Sequence, residues 1–144
     1  MLNSLISIKI KNRIKLIQQT IENPIVSQYK ILTHNVQFAK NTLFGKEHNF
    51  SKVLTYRHFN QTIPLSDYNS TKKYIEISMQ YKSDILWPGK IKWFAKSSGT
   101  TNDQSKFIPI TEESLRLCHF KAGKDMLSLY FKNNPHSKIL KGKS

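Results

Sequence analysis

A short polar segment near residue 100 carries the side chains best suited to chemistry in this chain. Ser97-Ser98-Gly99-Thr100-Thr101 supplies four hydroxyl groups around one glycine, and Lys106 follows shortly after it. Hydroxyl groups and successive backbone N–H groups can converge on an anion, and a glycine lets the backbone approach without an intervening Cβ atom. Lys106 adds a positive charge. This combination predicts a loop that binds a polyphosphate.

The segment differs from the Gly-x-x-x-x-Gly-Lys-Ser/Thr loop of nucleoside-triphosphatases, because it has one glycine and no Lys-Ser/Thr pair opening a helix. The residues on either side of it have the alternation of strands. Ile91, Trp93 and Ala95 alternate with Lys92, Phe94 and Lys96, and residues 106–110 are again extended in character. We therefore expect a β-hairpin around the loop. A flexible hairpin loop rich in serine and threonine, with no ligand, remains the alternative.

Helical spacing dominates the rest of the chain. Apolar residues recur at intervals of three and four over residues 2–21, 25–44, 68–80 and 112–131. Gly45 is expected to end the second helix in a left-handed conformation. Ser66 or Asp67 is expected to cap the third helix and Thr111 the fourth. The predicted fold class is α+β, with N-terminal helices packed around the hairpin and the last helix behind it.

The last of these helices is predicted to bury one face. Its buried face is expected to comprise Leu115, Cys118, Ala122, Met126 and Leu129. Cys118 is the single cysteine, which excludes an internal disulfide framework and favours a buried thiol.

The composition bounds the class of protein. The 144 residues carry a net charge of +14, from 23 basic and 9 acidic side chains. Such a surplus leaves open a non-enzymatic basic module that binds nucleic acid or an anionic surface. The basic residues are dispersed, however, which favours a solvated charge over a nucleic-acid footprint. No apolar stretch is long enough for a membrane span, so a cytoplasmic protein is the simplest expectation.

Ordered segments of the chain resemble the Gretchen Hagen family of acyl-acid amido synthetases, and in particular its bacterial branch. The resemblance covers the chain from about Asn23 onward. It is carried by residues 91–101 with Lys106-Phe107-Ile108-Pro109, and by Phe44-Gly45-Lys46, Ile63-Pro64-Leu65-Ser66-Asp67-Tyr68, Leu86-Trp87-Pro88 and Gly123-Lys124-Asp125-Met126-Leu127. Asn102 departs from the family pattern, where glycine is common, but asparagine can adopt the same turn.

The resemblance implies a ligase of the adenylate-forming superfamily. ATP, with Mg²⁺, and a small carboxylic acid would give an acyl-adenylate, which an amino acid or another amine would convert to an amide. The ATP phosphates would be held by Ser97, Ser98, Gly99, Thr100, Thr101 and Lys106. His119 and Lys124 would be candidates to face the acyl substrate. The resemblance identifies no catalytic residue and no metal ligand in this segment.

The resemblance also bears on domain organisation. Residues 1–144 would form the N-terminal part of a single adenylate-forming domain, with residues 1–22 as a leading amphipathic helix. Ile139-Leu140 predicts the start of a further strand, and family members are several times longer. We therefore expect a fragment that does not turn over alone, because adenylation requires both substrates aligned in one enclosed site. A remnant without any activity is a further alternative.

Overall fold

The computed structural model describes residues 2–97 and 105–137. The chain divides into two compact units. One comprises Met1–Ile25 together with Glu113–Ser144, and the other comprises Val26–Glu112. The predicted start of a strand at Ile139-Leu140 lies outside the described residues.

The first unit is built on two packed helices. Helix α1 spans Leu2–Glu22 and packs along α7, Phe120–Asn133. The Arg13 guanidinium donates hydrogen bonds to both carboxylate oxygens of Asp125, with Nη2 at 2.7 Å from Oδ2. Ser128 is buried, and its hydroxyl donates to the carbonyl of Lys124 at 2.8 Å. A bidentate ion pair and a satisfied serine therefore lie on the faces where these helices meet.

The predicted buried face of this helical segment is wrong. Met126 is 66 % exposed and Leu129 is 43 % exposed, and Cys118 and Ala122 are also exposed. Leu115 alone of the five is half-buried. The cause is a π-helical turn, Leu115–His119, between the short helix α6, Glu112–Ser114, and α7. The Phe120 N–H bonds to the Leu115 carbonyl, so this turn holds an extra residue and rotates every later side chain away from the expected face.

The second unit contains the main core. It is formed by α2, Pro24–Ala39, which starts at the border of the first unit, α3, Leu43–Glu47, a 3₁₀ turn at Phe50–Lys52, α4, Tyr56–Thr62, and α5, Tyr68–Met79. The buried centre holds Val36, Ala39, Phe50 and Val53, and Leu32, Phe44, Phe59, Ile63 and Trp87 pack around it. Of these residues, Leu32, Val36 and Ala39 belong to the helical stripe of α2, whereas Ile25 and Tyr29 of the same stripe are exposed.

The predicted single helix over residues 25–44 is broken in the structure. Helix α2 ends at Ala39, and Thr42, only 1 % exposed, caps α3. The Thr42 hydroxyl donates to the Ala39 carbonyl at 2.7 Å and accepts from the Gly45 N–H at 3.0 Å. A threonine side chain that satisfies both backbone groups competes with continued helix. Gly45 therefore lies inside α3 and does not terminate α2, which corrects the prediction.

The N-terminus of α5 agrees with prediction. Asp67 caps the helix, because its carboxylate accepts a hydrogen bond from the Ser70 N–H at 2.8 Å. This bond lowers the pKa of Asp67 below its ordinary value. Three residues of α5 face the core, namely Tyr74, Ile75 and Ser78.

The predicted β-hairpin is present. Strands β1, Trp93–Lys96, and β2, Phe107–Ile110, pair antiparallel, with Trp93 opposite Ile110 and Lys96 opposite Phe107. Alternation places Ile91, Trp93 and Ala95 on one face. Only Ile91 of the three is buried, at 4 % exposed, whereas Trp93 is 48 % exposed and Ala95 is also exposed. The mixture of helices with one antiparallel sheet confirms the α+β class. The last helix belongs with α1 in the first unit. Its expected place behind the hairpin stays a prediction.

Candidate functional site

The base of the hairpin loop is closed by Ser97 and Lys106. Ser97 follows β1 directly and Lys106 precedes β2 directly. The Ser97 N–H donates to the Lys106 carbonyl at 2.9 Å, and the Lys106 N–H donates to the Ser97 hydroxyl at 3.1 Å. The two outermost predicted site residues are therefore direct neighbours. Ser98, Gly99, Thr100 and Thr101 lie outside the described residues.

Two polar groups at this closure are suited to an anion. The Ser97 oxygen accepts from Lys106, but its own O–H can still donate to a ligand. The exposed Lys106 side chain carries a full positive charge on the same end of the hairpin. The backbone N–H groups of both residues are engaged in the closure itself. Any further backbone donors would therefore come from the loop between them.

Tyr68, the first residue of α5, contacts the hairpin at this point. Its hydroxyl oxygen accepts a hydrogen bond from the Phe107 N–H at 3.0 Å. Its ring lies under the Lys106 ammonium, with Nζ 5.7 Å from the ring centroid. Sequence reasoning did not assign Tyr68 to the site. Two features of the sequence could have pointed to Tyr68. It directly follows the helix cap Asp67, and it ends the segment of residues 63–68, which carries part of the family resemblance.

The two weaker candidates belong to the other unit. His119 is the last residue of the π-helical turn, and Lys124 lies on α7; both side chains are exposed. The carbonyl of Lys124 accepts the hydrogen bond from Ser128. The structure thus groups His119 and Lys124 with α1, whereas Ser97, Lys106 and Tyr68 belong to Val26–Glu112. Their role as substrate contacts stays a prediction.

A second polar cluster joins α3 to α5. The Tyr74 hydroxyl donates a hydrogen bond to the Glu47 carboxylate, and the Lys73 Nζ lies 3.6 Å from Glu47 Oε2. The bond from Tyr74, followed by the charge of Lys73, lowers the pKa of Glu47, while burial is the main cause that raises the pKa of Tyr74. Because each group is satisfied by the others, this cluster fastens two helices together and is not a poised catalytic site.

Within residues 2–97 and 105–137, no three His, Cys, Asp or Glu side chains are grouped in a way that could hold a metal ion. Among the helices of those same residues, none is long and apolar enough to cross a membrane.

Comparison with known proteins identifies the family. Residues 13–143 match the model described as the GH3 family N-terminal domain. Over 103 residues, or 71% of this chain, the sequence is 31% identical to indole-3-acetic acid-amido synthetase GH3.2 and 29% identical to indole-3-acetic acid-amido synthetase GH3.4, both of Arabidopsis thaliana. The aligned segment covers 19% and 17% of those two proteins. Since the family model takes in almost all of the 144 residues, the chain belongs to the GH3 (Gretchen Hagen) family.

Proposed function

We propose that this chain carries the ATP phosphate-binding loop of an acyl-acid amido synthetase. In this proposal, the ATP phosphates are held by Ser97, Ser98, Gly99, Thr100 and Thr101, and Lys106 offsets their negative charge. The observation that carries the proposal is the closure of the hairpin, where the Ser97 hydroxyl and the Lys106 backbone are hydrogen-bonded at 3.1 Å. The amido synthetase names of the two plant relatives supply the class of reaction.

The proposed reaction has two steps. A carboxylate oxygen of the acid attacks the α-phosphorus of ATP, the bond to the β-phosphate oxygen breaks, and pyrophosphate leaves. The amine nitrogen of an amino acid or another amine then attacks the acyl carbon; the bond to AMP breaks, AMP leaves, and the amide loses a proton. We propose a small carboxylic acid as the acyl substrate and an amino acid or another amine as the acceptor. We also propose that the protein is cytoplasmic and belongs to the bacterial branch of the family.

The residues at the closure fit a polyphosphate. A hydroxyl that can still donate and an exposed ammonium stand at one end of a two-stranded ladder, a polar combination that suits phosphate oxygens. Mg²⁺ bound with the ATP would neutralise part of the phosphate charge, and it is typically held by phosphates and water molecules with one or two carboxylates. Lys106 would meet the remaining charge directly.

We assign phosphate binding, and not the complete reaction, to these 144 residues. The aligned segment covers less than a fifth of either amido synthetase. Adenylation requires the acid and the α-phosphate to be held together at attack distance in one site. Binding of ATP can be measured without turnover, so the first test is a binding experiment.

The test is a calorimetric titration of the full chain with ATP and Mg²⁺, for the wild type and for Lys106→Met. A charge-assisted contact at an exposed site contributes enough that its loss should weaken binding by about tenfold. Inorganic tripolyphosphate should compete with ATP, and adenosine should not. Lys30→Met is the matched control, since Lys30 is an exposed lysine on α2 of the same unit.

Three results would decide against the proposal. The first is a wild-type chain that binds neither ATP nor tripolyphosphate. The second is competition by adenosine, which would move recognition from the phosphates to the nucleoside. The third is equal weakening by Lys106→Met and Lys30→Met with a steep dependence on salt, which would instead support the basic module suggested by the net charge of +14.

A further inference from the structure

We infer that Tyr68 is a positioning residue that holds Lys106 in place for a phosphate ligand, an inference that rests on the proposed function. Tyr68 is a side chain from outside the hairpin that contacts both Lys106 and the residue after it. One contact is a hydrogen bond to the backbone and the other is a cation–π contact with the charge itself. Together they restrict where the ammonium lies at this end of the hairpin.

The first contact fixes the backbone beside Lys106. The Phe107 N–H donates to the Tyr68 hydroxyl at 3.0 Å, and Phe107 also pairs with Lys96 in the hairpin. On its other side, the Lys106 N–H is bonded to the Ser97 hydroxyl at 3.1 Å. Lys106 is thus held between Ser97, which directly follows β1, and Phe107, which is bonded to Tyr68 on α5. These two hydrogen bonds fix the position of the Lys106 Cα atom and the direction in which the lysine side chain leaves the backbone.

The second contact restrains the charge. A lysine side chain has four rotatable bonds and loses much conformational freedom when it is ordered. The Tyr68 ring, at 5.7 Å from Nζ, attracts the ammonium through the negative face of the ring. A charge that is already confined at this end of the hairpin loses less entropy when a phosphate binds. The contact should therefore strengthen phosphate binding, although Tyr68 need not touch the ligand.

Tyr68 can act in this way because it is itself rigidly placed. It follows the Asp67 cap, whose carboxylate accepts from the Ser70 N–H, and the Thr71 hydroxyl bonds to the carbonyls of both Asp67 and Tyr68. The helix that it begins is anchored in the core by Tyr74, Ile75 and Ser78. The position of Lys106 is therefore coupled to the core of Val26–Glu112 through Tyr68, which lies 39 positions before its hydrogen-bond partner Phe107.

Two substitutions separate the two contacts. Tyr68→Phe keeps the ring and removes the acceptor for Phe107, whereas Tyr68→Leu removes both. Tyr56→Leu is the matched control, since Tyr56 is a 63 % exposed tyrosine that also begins a helix of the same unit. From the size of exposed cation–π contacts, we expect Tyr68→Leu to weaken the binding of ATP with Mg²⁺ by about three- to fivefold and Tyr68→Phe by less.

A double-mutant cycle with Lys106→Met tests whether Tyr68 acts through the lysine. In the Lys106→Met background, Tyr68→Leu should have no further effect on ATP affinity, because the charge that it positions is gone. A general loss of structure would weaken binding in both backgrounds. Equal effects in the two backgrounds, unchanged affinity in Tyr68→Leu, or tighter binding in that variant would each overturn the inference while leaving the proposed function standing.

A readout without ATP separates this inference from the proposed function. In NMR spectra of the wild type, the Tyr68 ring current should shift the side-chain signals of Lys106. That shift should persist in Tyr68→Phe and vanish in Tyr68→Leu, and loss of the hydrogen bond should speed amide exchange of Phe107 by about fivefold in Tyr68→Phe. Lys106 signals that do not respond to Tyr68→Leu would refute the contact. Because Tyr68→Phe keeps the packing volume, it remains informative if Tyr68→Leu fails to fold. A wild type that shows these signals but binds no polyphosphate would overturn the proposed function, and with it the phosphate role given to Tyr68.

Discussion

Replacing Gly45 by alanine should destabilise the unit formed by Val26–Glu112, although alanine is the better helix former. Gly45 is buried inside α3, directly over the end of α2. A Cβ atom at this position would lie 2.1 Å from the Ala39 carbonyl oxygen and 3.0 Å from the carbonyl carbons of Ala39 and Lys40. All three atoms belong to the backbone, so no side-chain rotation can relieve the overlap.

The magnitude follows from two opposing effects. Overpacking a well-packed site costs about 1–3 kcal/mol, and a backbone obstacle that must move by about 1 Å places Gly45→Ala at or above the top of that range. The gain in helix propensity from glycine to alanine is about 1 kcal/mol. We therefore expect a net loss of about 2 kcal/mol in the free energy of unfolding. For a unit of this size, the loss corresponds to a decrease in Tm of about 10 °C.

Gly123 provides the matched control. It also lies within a helix, α7, but a Cβ atom there would meet nothing within 4 Å. Gly123→Ala should therefore stabilise α7 by about 0.5–1 kcal/mol through helix propensity alone. The same substitution at two helical glycines should change stability in opposite directions.

Urea denaturation followed by two probes measures both effects. Both tryptophans, Trp87 and Trp93, lie in Val26–Glu112, so their fluorescence reports on the unit that contains Gly45. Circular dichroism at 222 nm reports on the helices, including α7. If Gly45→Ala is as stable as the wild type, the close approach of Gly45 to Ala39 is wrong. If Gly123→Ala is destabilised as strongly, crowding is not the cause.

Two further substitutions test hydrogen bonds that lie within one unit each. Asp125→Asn should reduce the free energy of unfolding at pH 7 by about 1–2 kcal/mol, because it removes the ionic character of a partly exposed pair with Arg13. The bond from Arg13 lowers the pKa of Asp125 below its ordinary 3.8, so this contribution is present above that pH and is lost as the pH falls below it. Urea midpoints measured between pH 7 and pH 3 should fall less steeply in Asp125→Asn, and parallel profiles would contradict the assignment. Thr42→Val keeps the side-chain volume but leaves the buried Gly45 N–H without its acceptor, which should cost about 1–3 kcal/mol; an unchanged urea midpoint would show that water replaces the hydroxyl.

Local patterns in the sequence were sufficient for the elements around the candidate site. The change from helical spacing to alternation after Gly89 predicted the hairpin, because side chains alternate along a strand. The pair Ser66-Asp67 predicted the start of α5, where Asp67 is the cap, because a cap bonds to N–H groups only two or three residues away. The polar residues after Lys96 predicted a loop, of which the structure describes the closing residues Ser97 and Lys106. Each of these features depends on residues close together in the chain, and the ordered segments likewise indicated the family before the comparison established it.

Spacing alone did not predict where elements break or which face they bury. Helical periodicity over residues 25–44 is continuous, yet the buried Thr42 side chain ends α2 at Ala39 and requires Gly45 in close contact. Periodicity over 112–131 is also continuous, yet the π-helical turn at Leu115–His119 rotates the face of α7. A periodic pattern assumes a constant number of residues per turn, so a single irregular turn misplaces every residue after it.

The sequence by itself therefore determined the α+β class, the hairpin, the loop residues Ser97–Thr101 with Lys106 as candidates, and the family resemblance. Only the tertiary structure decided that Ser97 and Lys106 close the loop by mutual hydrogen bonds and that Tyr68 lies against Lys106. The physical reason is distance along the chain. Propensities and caps act over a few residues, whereas the contact between Tyr68 and Phe107 joins residues 39 positions apart and exists only once the core has brought α5 to the hairpin.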